Sequence, residues 1–504
     1  MPARSTAQSV ILPPPVLGLN TVDPIASMDV NYCISALNFF SDGYSVDLRR
    51  GFTDYARGIG GEAVQFIGEL NLQNGTSSML AAGDDGHIYN VSASGVATDL
   101  TLASKVAGTP QSINFKNLLF ITDTSTSNAV YTWDGTTAAV AGFTGPGGVD
   151  TTLFCPTVFK GAIAFLELNS ASLWHAPAGA ITGALTEFPV EDILTLGGKL
   201  IHCGPISRQN IDDQDYFILV SSRGEVLVYQ GDGFEESTWS LVGHYYISSP
   251  LSERAFIRYG ADVVVLTRQG IVSLRNVITS AVEDIVYLSD KINNLYQDIL
   301  IDSEGNENQW SGVWYPKRNW IIVQMLTGGT IVPQYSQLVL NTKTRSWWLW
   351  DLPAYSFGVF KEQLYLGGNQ RFPASTGSGR MFKADNGYAD ITDENGTIST
   401  RTIKLQQAFS NMGSKLVKQF TEAVPYVYMS EGLALTMDVN VNFQDRSATS
   451  SVSDLVDTAY KLYTPRMGLQ GIGKVAGIRI DQTVTTKRMS LQATEVFWND
   501  GEII

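Results

Sequence analysis

"DYFILVSSRGEVLVYQGDG" (residues 215–233) sets two alternating apolar runs around a short Ser-Arg-Gly turn. Alternation at period two buries one face of a strand, and a tight turn between two such runs makes an antiparallel hairpin. The pattern returns at 77–92, 117–135, 161–176, 261–277, 319–353 and 358–369. With one anchor in each copy (Leu80, Leu119, Ile163, Phe217, Val263, Ile321 and Leu364), the steps are 39, 44, 54, 46, 58 and 43 residues. A sandwich spaces its strands roughly 8–12 residues apart, whereas a four-stranded propeller blade repeats every ~40–50 residues. The chain therefore reads as all-β, built on a β-propeller of six or seven blades. The hairpin at 358–369 is weak and leaves the count open.

Composition agrees with that architecture. Of 504 residues, 44% are hydrophobic and 11% aromatic, only 16% are charged, and 47 are glycine. Such a chain suits short packed strands joined by tight turns and excludes disorder on any large scale. The balance of 34 basic against 49 acidic residues leaves a net charge of −15. That surface repels polyanions, so tight nucleic-acid binding is not expected. Cys33, Cys155 and Cys203 are odd in number and without a spacing pattern, which points to reduced thiols. No apolar stretch of signal-peptide length precedes Pro13, and nowhere do ~18 uncharged apolar residues run together. The expectation is synthesis in a cytoplasm and no membrane span.

Three segments follow. Residues 1–35, with Pro13, Pro14, Pro15 and Pro24, read as an extended N-terminal arm. Residues 36–398 form the propeller body, interrupted near 288–300 by a helix. There Ile292, Leu295, Tyr296 and Ile299 recur at helical spacing behind Ser289, a candidate cap. From 399 to 504 the repeat stops and longer alternating strands predict a separate, sandwich-like β domain, which the arm can join in space.

The stretch "ALNFFSDGYSVDLRRGFTDYA" (36–56) runs a hairpin into two arginines and a glycine. Alternation predicts Tyr44, Val46, Leu48 and Arg50 on one face and Ser45, Asp47 and Arg49 on the other, where Asp47 and Arg49 can pair in solvent. A phosphate site usually adds a Gly-rich loop opening a helix, but Phe52 and Thr53 after Gly51 are strand-like. A structural or interface role is favoured for Asp47, Arg49 and Arg50.

Catalytic signals are sparse. His87, His175, His202 and His244 do not stand at metal-ligand spacing. His202 and Cys203, as neighbours in a strand, point to opposite faces, which argues against a thiol nucleophile. The chain has no nucleophile elbow, P-loop or dinucleotide fingerprint. No catalytic residue, cofactor or metal is expected. "GDDGHI" (83–88) and "DSEGNENQ" (302–309) read as turns, and Asn74-Gly75 and Asn395-Gly396 as type I′ hairpin turns.

Several stretches together resemble one family. Gly18, Asn20, Pro24 and Met28 ahead of residues 36–56 carry the likeness at the start. "ISSPLSERAFIRYGADVVVLTRQGIVSL" (247–274), "LSDKI" (288–292) and "WYPKRNWIIVQM" (314–325) carry it in the middle. It continues through "QLVLNTKTRSWWLWDLPAYSFGVFKEQLYLGG" (337–368), "GRMFKADNGYADI" (379–391) and "KQFTEAVPYV" (418–427). These resemble the tail nozzle, or stabilisation, proteins of short-tailed bacteriophages. The resemblance implies a structural virion protein and not an enzyme: a propeller with extra β domains at the distal end of the tail, closing the DNA channel until infection. It implies a homohexamer, a tail adaptor above it, tail fibres as candidate neighbours, and genomic DNA passing through without specific binding. The opening hairpin then marks where the chain enters the fold.

Six chains would carry roughly −90, and carboxylates facing a conduit repel phosphates. The candidate lining is Asp212, Asp213 and Asp215 in one loop and Asp232, Glu235 and Glu236 in another, with ordinary solvated turns as the plainer account. Two rivals stand beside the nozzle. One is a carbohydrate-binding or carbohydrate-cleaving propeller, with Trp347, Trp348 and Trp350 as its platform. The other is a scaffold propeller, although Trp133-Asp134 and Trp350-Asp351 lack the Gly-His partners of that class.

Overall fold

The structure is a computed structural model that describes residues 7–61, 63–100, 108–125, 129–148, 150–207, 215–235, 237–280, 285–328, 334–368, 379–430, 434–445, 451–452, 460–485 and 487–500. Among the described residues, seven antiparallel meanders follow one another along the chain, the sixth of them forming one end of a larger sheet. Blades 1 to 4 open with Val64–Asn71, Gln111–Phe115, Leu153–Phe159 and Leu200–Ser207, and blades 5 to 7 with Phe256–Tyr259, Ser311–Tyr315 and Ala354–Phe360. In blades 1 to 6 the hairpin read from the sequence is the second and third strand, as in blade 4, where Ile218 pairs with Val228. Those strands are sandwiched between neighbouring blades, so both faces are apolar and the pattern is strong. Fourth strands such as Ser240–Tyr246 lie at the rim and are largely solvated.

First strands touch in succession around a centre. Asn114 donates to the Glu69 carbonyl between blades 2 and 1, and the Cys155 N–H donates to Gln111 Oε1 between blades 3 and 2. His202 stacks on Phe256 between blades 4 and 5. Gly312 and Gly358 leave room for Ile257 and Ile67 on the blades beside them. The ring closes through strand exchange. Thr53–Ile59 comes from the start of the chain and pairs antiparallel with Gly379–Lys383 as the last strand of blade 7. The segment at 358–369 thus belongs to a blade of its own. Closure of this kind leaves no long free sheet edge in the ring. The chain is a β-propeller carrying an additional β domain.

Local departures have local causes. In blade 5 the strand pattern holds to Ser273, whose hydroxyl accepts the Asn276 N–H and starts helix α1, Leu274–Thr279, in place of a fourth strand. The second helix, α2, runs Asn293–Asp302, with Tyr296 and Ile299 buried. Ser289 is not its cap; a 3₁₀ turn, Asp290–Ile292, intervenes, and the Ser289 hydroxyl accepts the Ile271 N–H instead. At Asn74-Gly75 and Asn395-Gly396 only the glycine has positive φ. Gly75 is the αL residue of a three-residue loop and Gly396 of a four-residue one, closed by Gly75 N–H to Leu72 O and Gly396 N–H to Asp393 O, so neither is type I′.

The C-terminal domain is two packed sheets. Lys418–Met429 and Met489–Asp500 pair in one. Tyr32–Leu37, Arg401–Gln407, Ala476–Val484 and Leu435–Val441 lie side by side in the other. Phe420, Val427, Met437, Ile480, Leu491 and Trp498 are buried between them. The N-terminal segment is built into both. Gln8–Leu12 adds to Met489–Asp500, and Gly18–Leu19 bridges Tyr32–Leu37 to blade 6. Gly18 has φ +76, and a Cβ there would lie 2.5 Å from the Trp347 carbonyl, so only glycine permits this bridge. The result is a ten-stranded sheet running from a blade into the second domain. In the other sheet Phe39–Ser41 pairs with Val46–Leu48, which pairs in turn with Ser490 and Leu491, so the propeller begins at Thr53 and not at residue 36.

Candidate functional site

The two arginines mark the crossing between the domains. Val46–Leu48 ends in the C-terminal sheet, and five residues later the chain enters blade 7. Because the strand stops at Leu48, the pleat no longer assigns faces, and Leu48 and Arg49 are buried in succession. The expected Asp47–Arg49 pair does not form. Arg49 is 2% exposed and grips Asp390 with both amino groups at 3.0 and 2.8 Å, while its Nε donates to Asn38 Oδ1 at 2.7 Å. Asp351 lies 3.5 Å away. Arg401, also buried, donates to the Arg49 carbonyl at 2.8 Å and to the Tyr388 carbonyl.

This is a charge cluster removed from water and satisfied by geometry. Burial opposes the Arg49 charge, but Asp390 and then Asp351 outweigh it and hold its pKa above the ordinary value. Arg401 is brought down to about 10, by burial first and by the like charge of Arg49 second. Asp47 accepts from Ser45 instead, and burial pushes its carboxyl upward. Arg50 is 41% exposed, 3.7 Å from Asp385. Gly51 completes the crossing: a Cβ there would sit 1.8 Å from the Ala389 carbonyl, so the backbones approach as only glycine allows.

A second concave region lies at the centre of the propeller. Two adjoining cavities, of about 190 and 280 Å³, share Gln111, Ser112, Glu253 and Phe256. Their walls are the first strands of the blades, polar but sparsely charged. Glu253 is the lone carboxylate among the described residues that line them, and it is held 3.0 Å from Lys199. On the wall of the smaller cavity Cys155, His202 and Cys203 come together from blades 3 and 4. His202 and Cys203, neighbours in one strand and expected on opposite faces, both reach the Cys155 sulfur, at 3.6 and 4.0 Å. The convergence is with Cys155 on the adjacent blade, which hairpin periodicity within a blade does not reveal.

The acidic loops both sit in blade 4. One joins its first and second strands, the other its third and fourth, so antiparallel order puts them on one face of the propeller. Asp215 is exposed, 3.4 Å from Lys160 and bonded by Ser207. Asp232 accepts from Thr238, and Glu235 lies beside Thr186 and His175. Asp212, Asp213 and Glu236 lie outside the described residues. The tryptophans form no platform. Trp347, Trp348 and Trp350 are 1%, 0% and 3% exposed, and their indole N–H groups donate to Leu288 O, Ser346 Oγ and Phe39 O. Asp84 and Asp85 behave as turn residues, accepting from the Gly61 and Ala63 N–H groups and from Tyr89.

No family model and no curated protein matches the chain. Among solved structures it is similar to BBS1N, crystallised in complex with ARL6DN, at 12% identity over 68% of this chain and 100% of that one, TM-score 0.41. It is also similar to the WD40 β-propeller domain of Doa1, at 11% identity over 66% of this chain and 97% of that one, TM-score 0.36. The BamB structure from Moraxella catarrhalis aligns at 11% identity over 69% of this chain and 96% of that one, TM-score 0.33.

Proposed function

We propose that this chain is a structural virion protein, the distal nozzle of a short phage tail, which closes the DNA channel and lets the genome leave at infection. One observation supports the reading above others. The first stretch that resembles nozzle proteins lies hundreds of residues before three later ones, yet all four meet at one buried seam. Arg49 from the first binds Asp351 from the second and Asp390 from the third. Asn341 and Trp350 donate to Ser41 and Phe39 of the opening stretch. Lys418–Met429, from the fourth, pairs with Met489–Asp500, the strand that carries Val46–Leu48. Such a seam joins propeller and β domain into a stiff body suited to bearing load.

The cavities at the propeller centre are at or below the ~300–1,000 Å³ of small-molecule pockets and far too small for a duplex whose major groove alone is ~12 Å wide. A genome channel therefore belongs between copies, around the axis of a homohexamer, with the tail adaptor above. The acid-rich face of blade 4 is the candidate lining, where carboxylates let DNA slide without being held. The carbohydrate reading loses its tryptophan platform to the core.

Immunogold electron microscopy of virions, with an antibody raised against the chain, tests the role. Label at the distal tip of a short tail is expected. Virions that carry no label anywhere would overturn the reading.

A further inference from the structure

We propose that Cys155 and Cys203 are a redox pair that closes into a disulfide between blades 3 and 4 by exchange with a small disulfide. The two sulfurs are 4.0 Å apart, and each thiol points at the other residue's carbonyl, at 3.8 and 3.5 Å. His202 Nδ1 stands 3.6 Å from the Cys155 sulfur, its ring fixed by a parallel stack on Phe256 at 4.2 Å. Regular pairing is interrupted at Cys155 and just before Cys203, which itself pairs with Leu219. Cys155 has φ +51 within a bulge between Phe154 and Thr157, and the register of the Cys203 strand slips between Leu200 and His202. Bulged backbone and a cavity in front give the sulfurs room to approach the ~2.05 Å of a disulfide. Cys33, fully buried in the other domain, has no such neighbour among the described residues and serves as an internal control.

The order of reaction follows from the surroundings. The Cys203 thiol donating to Cys155, followed by the neighbouring His202, holds Cys155 below the ordinary thiol range, while burial holds Cys203 above it. Cys155 is thus the attacking sulfur. His202 takes its proton, the thiolate attacks one sulfur of RSSR, and RS⁻ leaves, to be protonated to RSH. Cys203 then gives up its proton and attacks the Cys155 sulfur, forming the intramolecular bond and releasing the second RSH. Two protein thiols are oxidised and one small disulfide is reduced to two thiols. The bond closes a loop of 48 residues and ties two neighbouring blades at the wall of the central cavity.

The test uses the intact chain and 2-hydroxyethyl disulfide. After acid quench, alkylation in denaturant and non-reducing digestion, mass spectrometry should find peptides containing residues 155 and 203 linked, with Cys33 alkylated. Cys203→Ser should stop at a mixed disulfide on Cys155, and Cys155→Ser should leave Cys203 free. His202→Gln should slow the first step by about tenfold with the same end product, because the thiolate fraction falls. The oxidised protein should melt at higher temperature than the reduced one. Cys155 and Cys203 both recovered alkylated, or each carrying the small thiol separately, would overturn the proposal.

Discussion

Arg49 and Arg50 are adjacent in sequence and opposite in energetics. Removing the Arg49 side chain leaves Asp390 buried beside Arg401 alone and takes one of two donors from Asn38 Oδ1, which keeps the Asp351 N–H. Breaking a buried pair from one side costs about 3–5 kcal/mol. Arg49→Ala should therefore lower unfolding free energy by that amount in urea titrations, whereas Arg50→Ala, on a half-exposed side chain, should stay within about 0.5–1 kcal/mol. Equal losses for the two would mean the cluster carries no special weight. Glu225 is a second buried carboxylate, accepting from the Thr195 hydroxyl and N–H, the Leu196 N–H and His244. Burial pushes it upward, but those donors together outweigh burial and hold it below the ordinary glutamate range. A depressed carboxyl stabilises the fold above its unfolded value, about 4.3, and loses that contribution as pH falls through the folded value. Glu225→Gln should thus cost about 1.5–3 kcal/mol near neutrality, with the gap to wild type narrowing below about pH 4; a gap constant from pH 7 to 3 would refute the assignment. Neither partner set was legible beforehand. Sequence shows that an arginine follows a strand, but not that the strand ends one residue earlier and delivers the side chain to a carboxylate 341 positions away.

Among the elements, strands were legible in proportion to how evenly their surroundings treat them. Second and third strands of the blades lie between apolar neighbours and announce themselves, as in Asp215–Ser221 and Glu225–Gln230. First strands such as Gln111–Phe115 mix packing with a polar cavity wall and do not. Turns misled for a different reason. Hairpin turns with two positive φ values include Lys116-Asn117, Lys160-Gly161 and Lys361-Glu362, where no Asn-Gly pair stands. Lysine and glutamate in the left-handed region cost roughly 1–2 kcal/mol each relative to residues that tolerate it. Replacing Lys361-Glu362 with Asn-Gly should stabilise the protein by about 1 kcal/mol, less the stacking of Lys361 on Phe360. A drop in the denaturation midpoint would show that those side chains hold the turn through contacts stronger than their strain.

At the scale of the whole molecule, the repeat ends near residue 399 but the folding unit does not. The last segment of the chain supplies Arg401–Gln407, which pairs with Tyr32–Leu37, and that sheet continues through Gly18–Leu19 into blade 6. One core cluster contains Trp347, Trp348 and Trp350 of blade 6, Leu364 of blade 7, Phe39 of the opening stretch, and Ile403 and Ile478 of the C-terminal domain. Domains that unfold separately meet through modest, polar interfaces. Here the boundary is a continuous sheet, a shared apolar core and a buried Arg49–Asp390–Arg401 cluster. Scanning calorimetry should accordingly show blades 6 and 7 and the C-terminal domain melting in one transition, with calorimetric and van't Hoff enthalpies agreeing for that unit. A chain cut after residue 398 should be insoluble, because the cut uncovers Cys33, Ala36 and the apolar side of the ten-stranded sheet. A soluble, cooperatively folded 1–398 fragment would show instead that the propeller stands alone. The stiffness proposed for a nozzle would then have to come from contacts between copies rather than from the seam within each chain.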